Sequence, residues 1–205
     1  MSLRERKKQE TRRRIGEAAH RLFEERGFDA VTVASVAEAA DVSEGTVFNY
    51  FPTKEDLFYT GMEAFEAELV EAVRRRETGT SVIAAFRDFI IARSVQLDSP
   101  GRTELILKAA AAIDASPALR ARERDVVANY TDQLAAVIAD DVGAAPDDVL
   151  PYAVANALMG AQAALSRQVR AAAVAGKRGR PLANYARKQA RAVFEQLEHG
   201  LADYA

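Results

Sequence analysis

Over residues 4–26 the apolar side chains Ile15, Ala18, Ala19, Leu22 and Phe23 recur every three or four positions, the spacing that gathers them on one face of an α-helix. Gly27 follows where a helix ends in a left-handed C′ residue, with Phe28 able to fold back over the last turn. Thr32 stands as the N-cap of a short second helix reaching Ala40, and Ser43 as the N-cap of a third over about residues 44–50. At Pro52-Thr53-Lys54-Glu55-Asp56 the pattern restarts: Thr53 can accept from the backbone N–H of Asp56, acids occupy the positive first turn, and the fourth helix runs to about Arg76. Longer helices are expected over about 81–97, 102–114, 117–141, 147–175 and 182–203. Ser99-Pro100-Gly101, Ser116-Pro117, Pro146 and the turn 176–181 separate them. Runs of alternating Val, Ile, Thr and aromatics that would mark strands are missing. The expectation is an all-α protein of nine helices.

Composition adds exclusions. With 49% hydrophobic and 28% charged residues in a chain of 205, a sizeable core is within reach. No apolar run approaches the roughly 18 residues of a membrane span, and the start lacks the apolar segment of a secretory signal, so a cytoplasmic protein with no membrane partner is expected. Without cysteine there is no disulfide framework, thiolate nucleophile or Cys-based zinc site. His20 and His199 share no ligand spacing and read as helix-surface residues, so neither metal nor cofactor is expected.

Net charge is −2, but its distribution is uneven. Residues 1–14 hold seven Lys/Arg against two Glu, while residues 170–191 hold seven Lys/Arg and no acid. A basic end on an acidic body suits a protein that meets nucleic acid with one end only. The basic stretch around residue 180 is either a second anion-binding surface or a solvated loop, as Gly176, Gly179 and Pro181 suggest.

The stretch 31–51 carries the functional signal. Val33, Val36, Ala37, Val42 and Val47 give an apolar inner face of small side chains that lets two short helices cross closely. Asp41 holds the turn position that wants a left-handed backbone, which Asp tolerates better than most residues. Phe51 falls on the core side by periodicity, whereas Asn49 and Tyr50 fall on the opposite side, the side such a motif presents to the DNA major groove.

Through residues 19–58, AHRLFEERGFDAVTVASVAEAADVSEGTVFNYFPTKEDLF, the chain resembles the TetR family of bacterial transcriptional regulators. Those proteins have a long first helix ending in Gly-Phe or Gly-Tyr and a Thr opening the second. A turn before Val-Ser follows, then Thr, two aromatics, Phe, and a Lys opening the fourth. Two departures stand out: Asp41 replaces the usual Gly, and Phe48 replaces the usual Tyr, removing one hydroxyl. The resemblance implies that Thr32, Thr46, Tyr50 and Lys54 contact phosphates, while Ser35, Ser43, Glu44, Gly45, Phe48 and Asn49 lie toward base edges. It implies an N-terminal three-helix helix-turn-helix domain over 1–54. A larger C-terminal helical domain over 55–205 would bind a ligand and dimerise.

For the second part the argument is physical. Met62, Phe65, Phe86, Phe89, Ile90 and Met159 are apolar, and Arg93, Glu104, Lys108 and Asn156 interrupt helices rich in Ala, Leu and Ile. Those polar groups either face solvent or line a pocket for a small, largely apolar effector, with Arg93 the anchor for a carboxylate or phosphate. Ala153, Ala157, Gly160 and Ala164 form a small-residue stripe, and Ala186, Ala190, Phe194 and Leu197 an apolar one. Two such helices from each of two chains make a four-helix bundle, hence a homodimer. No enzyme motif is present. The rival expectations are a ligand-free architectural DNA-binding protein and an all-helical enzyme.

Overall fold

The structure, a computed structural model, describes residues 2–200. Ten α-helices and one 3-10 turn occur among the described residues, with no strand. Three of them open the chain: α1 (Leu3–Arg26), α2 (Val33–Ala39) and α3 (Glu44–Tyr50). Ser2 and Glu5 form a reciprocal cap at the start of α1, so the basic segment is helical from its first turns. Gly27 closes α1 with φ 80° and ψ 163°, a positive-φ extended backbone open to glycine and not the left-handed helical one expected; its N–H still reaches the Phe23 carbonyl. Asp41 adopts the left-handed turn conformation, φ 51°.

The expected fourth helix is two helices, α4 (Lys54–Phe58) and α5 (Thr60–Arg74), parted at Tyr59. Thr60 Oγ1 donates to the Leu57 carbonyl and the buried Tyr59 hydroxyl donates to the Leu119 carbonyl, and these bonds compete with a continuous helical ladder. α6 (Val82–Arg93) likewise gives way early to a 3-10 turn, Ser94–Asp98, as Ser94 Oγ donates back to the Ile91 carbonyl at 2.6 Å. The remaining helices are α7 (Arg102–Ala115), α8 (Pro117–Val142), α9 (Leu150–Val174) and α10 (Gly179–Gly200), close to expectation; residues 201–203 of the expected last helix lie outside the described residues. No described helix is long and apolar enough to cross a membrane.

Two compact units result. The first comprises the described residues up to Glu63 and the excursion Lys108–Glu123; the second comprises Ala64–Leu107 and the described residues from Arg124 onward. A boundary drawn after residue 54 on sequence leaves 108–123 with the second part, because nothing local in that segment says which neighbours it meets. In the first unit Ile15, Ala18, Leu22, Phe23, Val36, Val47, Phe51 and Leu57 are buried together, and the rings of Phe23, Phe28 and Phe58 meet at 5.3–5.9 Å. In the second, α10 packs on α6, the 3-10 turn and α9, with the Phe86 and Phe194 rings 5.4 Å apart.

Phe194 is fully buried, so truncating it removes a large apolar contact and leaves a cavity. Phe194→Ala should lower the unfolding free energy by about 3–5 kcal/mol in urea titration; a loss under about 1 kcal/mol would mean the site collapses around the gap.

Candidate nucleic-acid interface

Helices of seven residues do not persist alone, so α2 and α3 depend on what caps and covers them. Thr32 Oγ1 accepts from the Ser35 N–H and Ser35 Oγ from the Thr32 N–H, while Ser43 Oγ accepts from the Thr46 N–H, each at 3.1–3.2 Å. Val36, Ala37 and Val47 turn inward. With that face used, Thr32, Ser43, Glu44, Gly45, Phe48 and Asn49 are exposed, and Ser35, Thr46, Tyr50 and Lys54 are half-buried. Phe48 leaves 47% of its surface in solvent, which a free-standing core residue would not do, whereas Phe51 is buried as the periodicity requires. A Cβ on Gly45 would meet only Ser43 Oγ, at 3.9 Å, so nothing inside the chain demands glycine there. Lys54 Nζ rests 4.2 Å from the Phe28 ring centre, a cation–π contact that anchors the ammonium beside α3.

Arg12 is the support that sequence did not reveal. Its guanidinium donates to the Tyr50 carbonyl at the end of α3 (2.8 Å), donates to Glu63 (2.9 Å), and lies 4.4 Å from the centre of the Phe51 ring. Arg122, from α8, donates to the other oxygen of Glu63 (2.7 Å) and pairs with Asp56 at 2.5 Å, whose carboxylate caps α4 through Thr53. Four charges thus run from the end of α3 to the α4 cap, within the first unit. No local pattern announces this chain, since its two arginines are 51 and 59 residues from Glu63. Arg13 is likewise occupied, by Glu10 and Glu17, while Arg4, Arg6, Lys7, Lys8 and Arg14 remain exposed. His20, expected on the surface, is half-buried with Nε2 3.0 Å from where a Gly61 Cβ would stand.

The residues expected around an effector divide between the two units. Met62 and Lys108 belong to the first unit, where Lys108 Nζ donates to the Glu24 carbonyl. In the second unit, Glu104 is exposed and 3.9 Å from Arg178, and Asn156 is exposed and donates to the Tyr152 carbonyl of its own helix. Arg93 is ion-paired with Glu68 and lies over the Phe89 ring, so its fork is already engaged. Phe86 and Met159 are fully buried, while Phe65, Phe89 and Ile90 are half-buried, the Phe65 and Phe89 rings meeting at 5.4 Å.

The two expected dimer stripes part company. On α9, Ala153, Gly160 and Ala164 are exposed and Ala157 half-buried, flanked by exposed Tyr152 and Val174. On α10, Ala186, Ala190 and Phe194 are buried in the chain's own core, which removes them from any surface between chains; Leu197 is half-buried. An apolar stripe on sequence cannot say whether its partner is the same chain or a second one. The basic side chains Arg187, Lys188 and Arg191 line an open groove on α10 with Asn184 and Glu195.

The polar group sequence reasoning missed is Glu66, 2% exposed on the inward face of α5 with Leu69, Val70 and Val73. The signal was there: Glu66 stands three, four and seven residues before them, in register with the apolar stripe. Burial alone pushes its carboxyl up to about 7, and no described group hydrogen-bonds its Oε2. Gln162 on α9, 8% exposed, donates to Ser166 while its Oε1 has no described partner.

Two short capped helices crossing at a left-handed turn, with an aromatic and polar outer face, define a helix-turn-helix DNA-binding protein. Residues 15–59 match the family described as bacterial regulatory proteins, tetR family, and residues 80–201 match the MftR C-terminal domain. The chain belongs to the TetR family of transcriptional regulators. It is 33% identical over 145 residues to the HTH-type transcriptional repressor Rv1474c of Mycobacterium tuberculosis, spanning 68% of this chain and 73% of that one. It is 34% identical over 127 residues to the repressor KstR of Rhodococcus jostii, a match covering 61% of this chain and 58% of KstR. Among solved structures, Thermus thermophilus FadR, a repressor crystallised with lauroyl-CoA, superposes with TM-score 0.53 at 26% identity, covering 90% of this chain and 93% of that one.

The buried acid makes stability pH-dependent with a definite sign. Glu66 holds its proton to about pH 7 when folded and to about 4.5 when unfolded, so its favourable contribution is complete below pH 4.5 and is lost as pH rises to about 7. Against the permanently neutral Glu66→Gln, wild type should lose about 3 kcal/mol of relative stability over that window in urea melts run at a series of pH values. Parallel curves would mean that Glu66 ionises as freely folded as unfolded.

Proposed function

We propose that this regulator is a ligand-responsive repressor that binds a near-palindromic operator as a homodimer in the cytoplasm. The observation that carries the DNA-binding mode is the outward face of α3, with Phe48 and Asn49 exposed above a buried Val47 and Phe51. Ser35, Ser43, Glu44, Gly45, Phe48 and Asn49 read base edges; Thr32, Thr46, Tyr50 and Lys54 hold phosphates and fix register. Phe48, lacking the hydroxyl of a Tyr, meets a thymine methyl. Repression follows from occupying the operator, as the relatives named as repressors support.

The two recognition helices of a dimer enter successive major grooves about one helical turn apart. The second unit supplies the dimer contact through the exposed small-residue face of α9, and it takes the effector. Effector and operator are coupled because ligand affinity differs between the DNA-competent and DNA-released states, and a factor of about 150 corresponds to roughly 3 kcal/mol. The α5, α7 and α8 helices each begin in one unit and end in the other, which supports a coupling carried by continuous helices.

Lys54→Ala should weaken binding to all DNA sequences about equally, whereas Asn49→Ala should relax preference at one operator position. Binding-site selection from a random library separates the two, and identical base preferences for wild type and Asn49→Ala would remove Asn49 from the reading set. Gly160→Phe should convert dimer to monomer in sedimentation and cut operator affinity at least tenfold; an unchanged dimer would move the interface off this face of α9.

A further inference from the structure

Glu66 is a carboxyl that the fold buries without giving it a partner. It stands on the inward stripe of α5, its neighbours on that face are Leu69, Val70 and Val73, and no described donor reaches Oε2. Gln162 repeats the situation on α9, inside the same unit, with its Oε1 unbonded while its Nε2 is used by Ser166. Both side chains are more than nine-tenths buried, and both unpaired atoms are acceptors. A buried acceptor without a donor destabilises the fold, more so if charged, and that cost is recovered when a donor arrives from outside the chain. The group best placed on sequence to receive an anion is already engaged: Arg93 pairs with Glu68 and lies over the Phe89 ring.

We propose that the interior of the second unit binds amphipathic amines, with the ammonium head donating to the Glu66 carboxylate and the apolar body lying among the aliphatic and aromatic side chains of that unit. The inference rests on the ligand-responsive reading above and names the class of effector. An ammonium suits this site because it brings donors and the charge that a buried carboxylate needs, whereas a carboxylate head would meet Glu66 with like charge. Burial raises the Glu66 carboxyl to about 7, which favours its neutral form when the site is unoccupied; ionisation on binding the ammonium then releases a proton to solvent.

Three probes with one tail test this on the full-length protein: N,N-dimethyldecylamine, decanol and decanoate, titrated calorimetrically at pH 7 in two buffers of different ionisation enthalpy. The amine is expected to bind at least tenfold tighter than either of the others, with net proton release that the alcohol lacks. Glu66→Gln should lose at least tenfold of the amine affinity and all of the proton release, while binding decanol unchanged. Because Gln nearly matches Glu in shape, its melting curve and operator affinity report whether the fold is kept, and Glu66→Leu provides a second variant with the same expected loss. Decanoate or decanol binding as tightly as the amine, or an amine affinity indifferent to both substitutions, overturns the assignment. The same protein is screened for operator release against a general library including acyl-CoA. Release by other ligands with no amine binding overturns the Glu66 site alone; no release by any compound overturns the ligand-responsive reading with it.

Discussion

A seven-residue recognition helix has too few internal hydrogen bonds to hold its own direction, and in this protein the Arg12 guanidinium supplies the missing restraint. It closes the end of α3 by bonding the Tyr50 carbonyl, one of the orphan acceptors every helix terminus leaves, and covers the Phe51 ring that anchors the helix from below. Because the same guanidinium shares Glu63 with Arg122, the orientation of the outward residues is tied to the start of α5 and the start of α8. A planar fork with several fixed donors can make these contacts at once, whereas an ammonium has no comparable geometry.

The second unit solves a different problem. Its interior is built around large apolar contacts such as Phe86 on Phe194, and in that setting a carboxyl is costly to the isolated protein. Its retention is intelligible when the interior is a place where something else binds. Stability surrendered in the empty protein would then be regained in the occupied one.

The sequence made the first unit readable because its determinants are local. Thr32, Ser43 and Thr53 cap the helices they precede, and Asp41 takes the left-handed turn, all within a few residues of their partners. What escaped was long-range. The interruption at Tyr59 depends on a carbonyl 60 residues away, and the segment 108–123 joins the first unit through contacts that leave no trace in its own periodicity. The α10 stripe is apolar by composition, but only packing shows that Ala186, Ala190 and Phe194 bury themselves within one chain. Among the polar residues that interrupt the apolar helices, Arg93, Glu104, Lys108 and Asn156 find partners within the chain or face solvent. Glu66 was hidden by sitting among other glutamates on an amphipathic helix, where only its register distinguishes it.

The helical start of α1 changes what its positive charge can do. A disordered arm of the same composition would search a volume and lose conformational entropy on settling against phosphates. Here the Ser2–Glu5 cap fixes Arg4, Arg6, Lys7, Lys8 and Arg14 along one rigid rod, advancing about 1.5 Å per residue ahead of the Arg12 anchor. In the proposed DNA-binding mode, the spacing of these charges and the direction of α3 would be set by the same Arg12 contacts, so backbone grip and base reading would be registered to each other before DNA arrives.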